Sequence, residues 1–141
     1  MEIVVTVAID APTAVVWREL VDVERWPQWT ATMTSVKRLE EGPLAIGSSA
    51  RIKQPMMRAM VWRVNAFVEQ QSFTWAASSP GLTLAADHEL AVDGNTTIVT
   101  LRARFSGPLG GLLGWMSSSR SRRFVQMEAD GLKRVCESAA T

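Results

Sequence analysis

The chain has 141 residues, with fifteen basic and fourteen acidic side chains, one cysteine and one histidine. That length suits a single domain with a real core. A formal charge of +1 excludes the strongly basic face of a nucleic-acid binder. A lone cysteine, Cys136, cannot staple the fold, so thiol usage points to a reducing, cytoplasmic setting. No basic and then apolar leader follows Met1, and no run approaches the roughly 18 to 20 apolar residues of a membrane span.

Ile3 to Ile9 is β-branched and apolar, a strand by composition. Asp10-Ala-Pro stops it, with Asp10 the expected N-cap of a helix carrying Val16, Trp17, Leu20 and Val21 at helical spacing. Asp22 is placed to cap a second short helix, which Pro27 should end near Trp26. Strands are expected over Thr32 to Leu39, Ser48 to Gln54, the stretch ending at Val68, and Phe73 to Ala77. The two clearest strands are Leu82 to Val92 and Thr96 to Phe105. Pro80-Gly81 and Asp93-Gly94 are the turn signals that bracket them.

Side chains on a strand alternate faces, so register is testable. A two-residue turn at Pro80-Gly81 sets Phe73 opposite His88 and Trp75 opposite Ala86. A turn at Asp93-Gly94 sets His88 opposite Val99, Ala86 opposite Leu101 and Leu84 opposite Ala103. Both hairpins gather Phe73, Trp75, Leu84, Ala86, His88, Leu90, Val99, Leu101 and Phe105 on one apolar face. Asp87, Glu89, Thr100, Arg102 and Arg104 fall on the other, a solvated face. Trp62 and Phe67 both point inward only if a bulge separates them.

The last third, Gly107 to Ser138, reads as one long helix. Its apolar stripe is Leu109, Leu112, Leu113, Met116, Phe124, Met127 and Val135, with Arg120 on the same stripe. Strands in sequence order without helical crossovers imply an antiparallel sheet, and the helix needs its curved face.

This order resembles the helix-grip fold of the START-like (SRPBCC) superfamily, in its polyketide cyclase/dehydrase branch. The residues that carry the likeness are Asp10-Ala-Pro, Val16-Trp17, Asp22 through Trp26 to Trp29, Gly42-Pro, Gly47, Phe73-Thr-Trp75, Gly94, and Gly107 to Leu113. The resemblance implies one α+β domain over residues 1–141. A curved, antiparallel seven-stranded sheet would surround a long C-terminal helix, with two short helices after the first strand. It also implies a cavity between sheet and helix that takes an apolar or aromatic small molecule, lipid or polyketide-like.

Within such a cavity the expected ligand-binding residues are Trp29, Trp62, Phe73, Trp75, Leu84, Ala86, His88, Val99, Leu101, Met116, Arg120 and Phe124. Trp115 is a further wall candidate near the mouth. His88 and Arg120 are also the candidates for chemistry. A histidine titrates near neutrality and can orient or protonate a carbonyl. An arginine holds a carboxylate or enolate, as a pocket arginine is thought to do in aromatase/cyclase relatives. Two readings stay open: a binding protein, or a cyclase/dehydratase that moves protons with His88 or Arg120. No Cys/His cluster, phosphate-cradling glycine loop or Ser-His-Asp spacing occurs, so no metal or other cofactor is expected. No nucleic-acid partner and no stable membrane insertion is expected. The apolar GPLGGLLGWM stretch before Arg120, Arg122 and Arg123 suits transient contact with an anionic bilayer. Monomer and homodimer both remain open.

Overall fold

The computed structural model describes residues 1–111 and 118–140. Seven strands run β1 (Glu2–Ile9), β2 (Ser35–Arg38), β3 (Ser49–Lys53), β4 (Met60–Val68), β5 (Ser72–Ser79), β6 (Leu82–Asp93) and β7 (Thr96–Ser106). Helix α1 (Thr13–Val21) and a 3-10 helix, η1 (Val23–Gln28), separate β1 from β2, and α2 (Ser118–Ala139) follows the sheet. The strands form one antiparallel sheet ordered β1-β7-β6-β5-β4-β3-β2. Because β1 and β2 occupy opposite edges, α1 and η1 must carry the chain from one edge to the other. Helix α2 packs against β1, α1 and β7, which completes a helix-grip architecture.

The β5–β6 register is the expected one, Phe73 opposite His88 and Trp75 opposite Ala86. The β6–β7 turn is centred one residue later than expected, on Gly94-Asn95, since Asp93 pairs with Thr96. His88 therefore faces Leu101, Ala86 faces Ala103 and Leu84 faces Phe105. A partner shift of two residues leaves every side chain on its expected face, because the pleat repeats every two. The bulge that turns Trp62 and Phe67 inward sits at Asn65, where the β4–β5 register slips between Val64 and Ala66. On the outer face Asp87 departs from expectation by being buried. Its carboxylate accepts bonds from Arg104 Nε (3.0 Å), Arg104 Nη2 (2.9 Å) and the Thr74 hydroxyl (2.7 Å).

The helix signals need correction. Pro12 is still extended (φ −64, ψ 151), so α1 starts at Thr13, and Asp10 does not cap it. The Asp10 backbone N–H donates instead to Glu137 Oε2 on α2 at 2.9 Å. Pro27 lies inside η1 rather than ending it; the short 3-10 helix simply forgoes that one donor.

The larger correction concerns α2. Its buried residues are Val125, Ala129, Gly131, Leu132 and Cys136, whereas Leu109 and Met127 are exposed. Leu112, Leu113 and Met116 lie outside the described residues. The seated face is therefore rotated from the expected stripe, and Arg120 is exposed rather than inward. It precedes Val125 by five residues, about 140° around the helix. The reason is Gly131: a Cβ there would stand 2.1 Å from the Trp29 carbonyl oxygen. The helix turns its one side-chain-free position to η1 and lies close. Gly107 has φ 93 and does not start the helix; Leu109 N–H bonds the Gly81 carbonyl at 2.8 Å.

Candidate functional site

Between the concave face and the N-terminal half of α2 lies a cavity of about 120 Å³. Trp62 of β4, Leu84, Ala86 and His88 of β6, and Leu101, Ala103 and Phe105 of β7 line the sheet side. Ser121, Phe124, Val125 and Glu128 line the helix side, with Gln54 after β3. Ala86 and Ala103 are direct cross-strand partners, so two small side chains of that face meet where the hollow opens.

Six expected site residues come together there: Trp62, Leu84, Ala86, His88, Leu101 and Phe124. Phe73, Trp75 and Val99 are buried in the core beside it but do not line it, and neither does Trp29, whose carbonyl accepts Arg134 Nη2 at 3.1 Å. Arg120 is absent from the lining because its helix face points to solvent. Met116 and Trp115 fall outside the described residues.

His88 is 3 % exposed. Its ring stacks on Phe73 (4.3 Å between centroids, 17° between planes), with Trp26 and Trp75 at 5.5 and 6.1 Å. Nδ1 lies 3.1 Å from the Phe73 carbonyl oxygen. A carbonyl only accepts, so Nδ1 carries the proton and Nε2 is the bare acceptor of a neutral ring. Burial pushes the imidazole down to about 4, outweighing the Phe73 bond and the nearby Asp87 charge.

The sequence reading missed Glu128. It shares the lining with His88, and burial pushes its carboxyl up to about 7 against the opposing bond from Thr32. The Thr32 hydroxyl donates to Glu128 Oε1 at 3.0 Å, and Thr32 is itself tied to Thr30 at 2.9 Å. The available signal was spacing: Phe124, Glu128 and Leu132 recur every four residues, so an acid interrupts an inward stripe. Near neutrality the cavity thus offers an unprotonated imidazole nitrogen and a carboxyl poised between its two forms. Both groups can accept a hydrogen bond, and the carboxyl can also donate one when protonated.

Solved structures that share the architecture include the following three. A hypothetical protein from Helicobacter pylori superposes with a TM-score of 0.83 at 13% identity, covering 96% of this chain and 88% of that one. The Zhui aromatase/cyclase from Streptomyces sp. R1128 gives 0.79 at 17%, covering 100% and 96%. A Thermus thermophilus protein, TTHA0849, gives 0.79 at 16%, covering 100% of both chains. At these identities the likeness is one of fold. A search of curated protein sequences finds no match. The sequence profile for "Polyketide cyclase / dehydrase and lipid transport" matches residues 1–137, and with the helix-grip sheet and its cavity already in view, the chain belongs to that family.

Proposed function

We propose that this protein binds a compact apolar or aromatic small molecule in the cavity between sheet and α2. The observation that carries the reading is the hollow itself: about 120 Å³, walled mainly by Trp62, Leu84, Leu101, Phe105 and Phe124, with His88 and Glu128 also in its lining. Concave, mostly apolar sites with a few polar groups are the usual form of ligand pockets. Affinity would come mainly from buried apolar area, about 25 cal/mol per Å² before the costs of association. Native mass spectrometry and solvent extraction of freshly purified protein test it, together with Ala103→Leu, which fills the cavity floor. A co-purifying small molecule lost in Ala103→Leu is the expected result. No bound mass, and no chemical-shift change at cavity residues on adding small aromatics, would defeat the reading.

A second reading is a cyclase or dehydratase. It is favoured by a neutral His88 and a Glu128 carboxyl titrating near pH 7 in one cavity. Under it, His88→Ala and Glu128→Gln abolish turnover of a poly-β-ketone substrate while ligand binding survives. Arg120, exposed on α2, has no part in that chemistry and Arg120→Ala leaves turnover intact.

A further inference from the structure

We infer, resting on the binding reading above, that the cavity selects an uncharged single-ring aromatic compound bearing a hydroxyl donor, a phenol, and rejects both carboxylates and ammonium compounds of the same size.

Size sets the first limit. A cavity of roughly 150 Å³ accepts benzene, so about 120 Å³ takes one ring with slight adjustment and no long chain. The polar groups set the second. His88 Nε2 is an acceptor with no partner among the described residues, since Nδ1 holds the ring's only proton against Phe73. Glu128 Oε1 already receives the Thr32 hydroxyl, and no described residue donates to Oε2. His88 Nε2 wants a donor, and so does Glu128 Oε2 whenever its carboxyl is ionised; a hydroxyl on the guest supplies one, and also accepts from the carboxyl when that is protonated.

Charge sets the third. Arg102 and Arg104 sit on strand positions that border the cavity, yet their side chains turn to the outer face. There Arg104 clasps Asp87 at 2.9 Å, while Arg102 reaches Glu89 at 3.2 Å and Glu2 at 3.4 Å. No cation among the described residues faces the hollow to receive a carboxylate, which would also meet Glu128. An ammonium would have to ionise Glu128 and pair with it in surroundings that already strip the proton from His88, where the cost of desolvating both charges exceeds what the pairing returns. A site that neutralises its own base and half-neutralises its own acid is built for a neutral guest.

The test compares phenol, toluene, benzoate and benzylamine at pH 6.5 by calorimetry and by saturation-transfer NMR on the full chain. Phenol should bind about tenfold or more tighter than toluene, the effect of one hydrogen bond to a buried, partly ionised acceptor. Benzoate and benzylamine should bind more weakly than toluene. In Glu128→Leu the phenol-to-toluene ratio should fall, and with His88→Phe added it should approach one, while toluene still binds. Equal affinity for phenol and toluene, or tightest binding of benzoate or benzylamine, overturns the assignment and leaves the pocket standing. An unchanged ratio in a folded protein that carries both Glu128→Leu and His88→Phe also overturns it. Failure of all four probes sinks the binding reading itself. Should Glu128→Leu not fold, the four wild-type affinities still decide.

Discussion

His88 and Glu128 make opposite demands on pH, and their cancellation is testable. The folded chain holds the Glu128 proton up to about 7, whereas an unfolded glutamate releases it near ~4.3. Between those values folding takes up a proton, so this group's contribution is full at low pH and is lost as pH rises through 7. His88 is the reverse: about 4 when folded and ~6.5 when unfolded. Its contribution is full above ~6.5 and is lost as pH falls through 4. Across pH 4.5 to 6.5 each effect integrates to about 2 kcal/mol, with opposite sign. Urea unfolding at half-unit pH steps should therefore give a wild-type profile in which these two contributions cancel to within about 1 kcal/mol. Glu128→Gln should unmask a rise of about 2 kcal/mol with pH, and His88→Phe a fall of about 2 kcal/mol. The lowered carboxyls of Glu40, Asp87 and Glu137 act alike in every variant and drop out of the differences. A Glu128→Gln profile parallel to wild type would refute the picture of a half-buried, proton-retaining acid.

Three more outcomes follow from packing. Gly131→Ala gains about 1 kcal/mol of helix propensity but loses more from its clash with the Trp29 carbonyl, typically about 1–3 kcal/mol. Its Tm should fall by a few degrees, and a rise in a thermal melt would contradict the close approach. Asp87→Asn removes the charge that Arg104 and Arg102 share on the outer face, at a cost of about 1–2 kcal/mol at pH 7. Burial pushes the Asp87 carboxyl up, but the bonds from Arg104 and Thr74 and the two arginine charges together hold it below the usual carboxylate range, so that difference should shrink as pH falls through it; a constant gap would exclude the electrostatic cause. Cys136 is fully buried and its thiol is pushed up to about 12, so Ellman's reagent should titrate it only in denaturant. Prompt labelling of native protein would show the α1–α2 contact to be open.

The concave face was legible in the sequence because period two is insensitive to a turn misplaced by one residue. The β6–β7 hairpin was centred wrongly, yet His88, Ala86 and Leu84 still faced inward. The bulge at Asn65 was legible too, because two large rings demanded the same side. The face of α2 was not. Counting apolar residues weights Met127 and Leu109, whereas the contact is decided by what Gly131 lacks, which no hydrophobic count registers. That rotation took Arg120 out of the site and brought Glu128 in. Glu128 also depends on Thr32, ninety-six positions away in the chain, a partner only the tertiary structure supplies.

The tryptophan-rich, tyrosine-free composition bears on why the hollow is small. Trp17, Phe73, Trp75, Trp26 and Trp62 form a continuous run of ring contacts over the concave face, neighbouring centroids 5.3 to 6.4 Å apart. Two of their four indole N–H groups are absorbed locally: Trp17 Nε1 donates to Glu69 and Trp26 Nε1 to the Leu20 carbonyl. Stiff rings of this kind fill the space under α1 and η1 but do not flow into gaps, so the void survives where Ala86 meets Ala103. If so, the hollow costs stability that a larger side chain recovers. Ala103→Leu adds three carbons to an apolar void, worth about 1–2 kcal/mol when they fit. It should raise Tm by several degrees while abolishing small-aromatic binding. A variant that loses stability instead would mean the space is already committed, to ordered water on Glu128 and His88 or to a neighbouring side chain, and the cavity would then be a hydrated polar site rather than an apolar one.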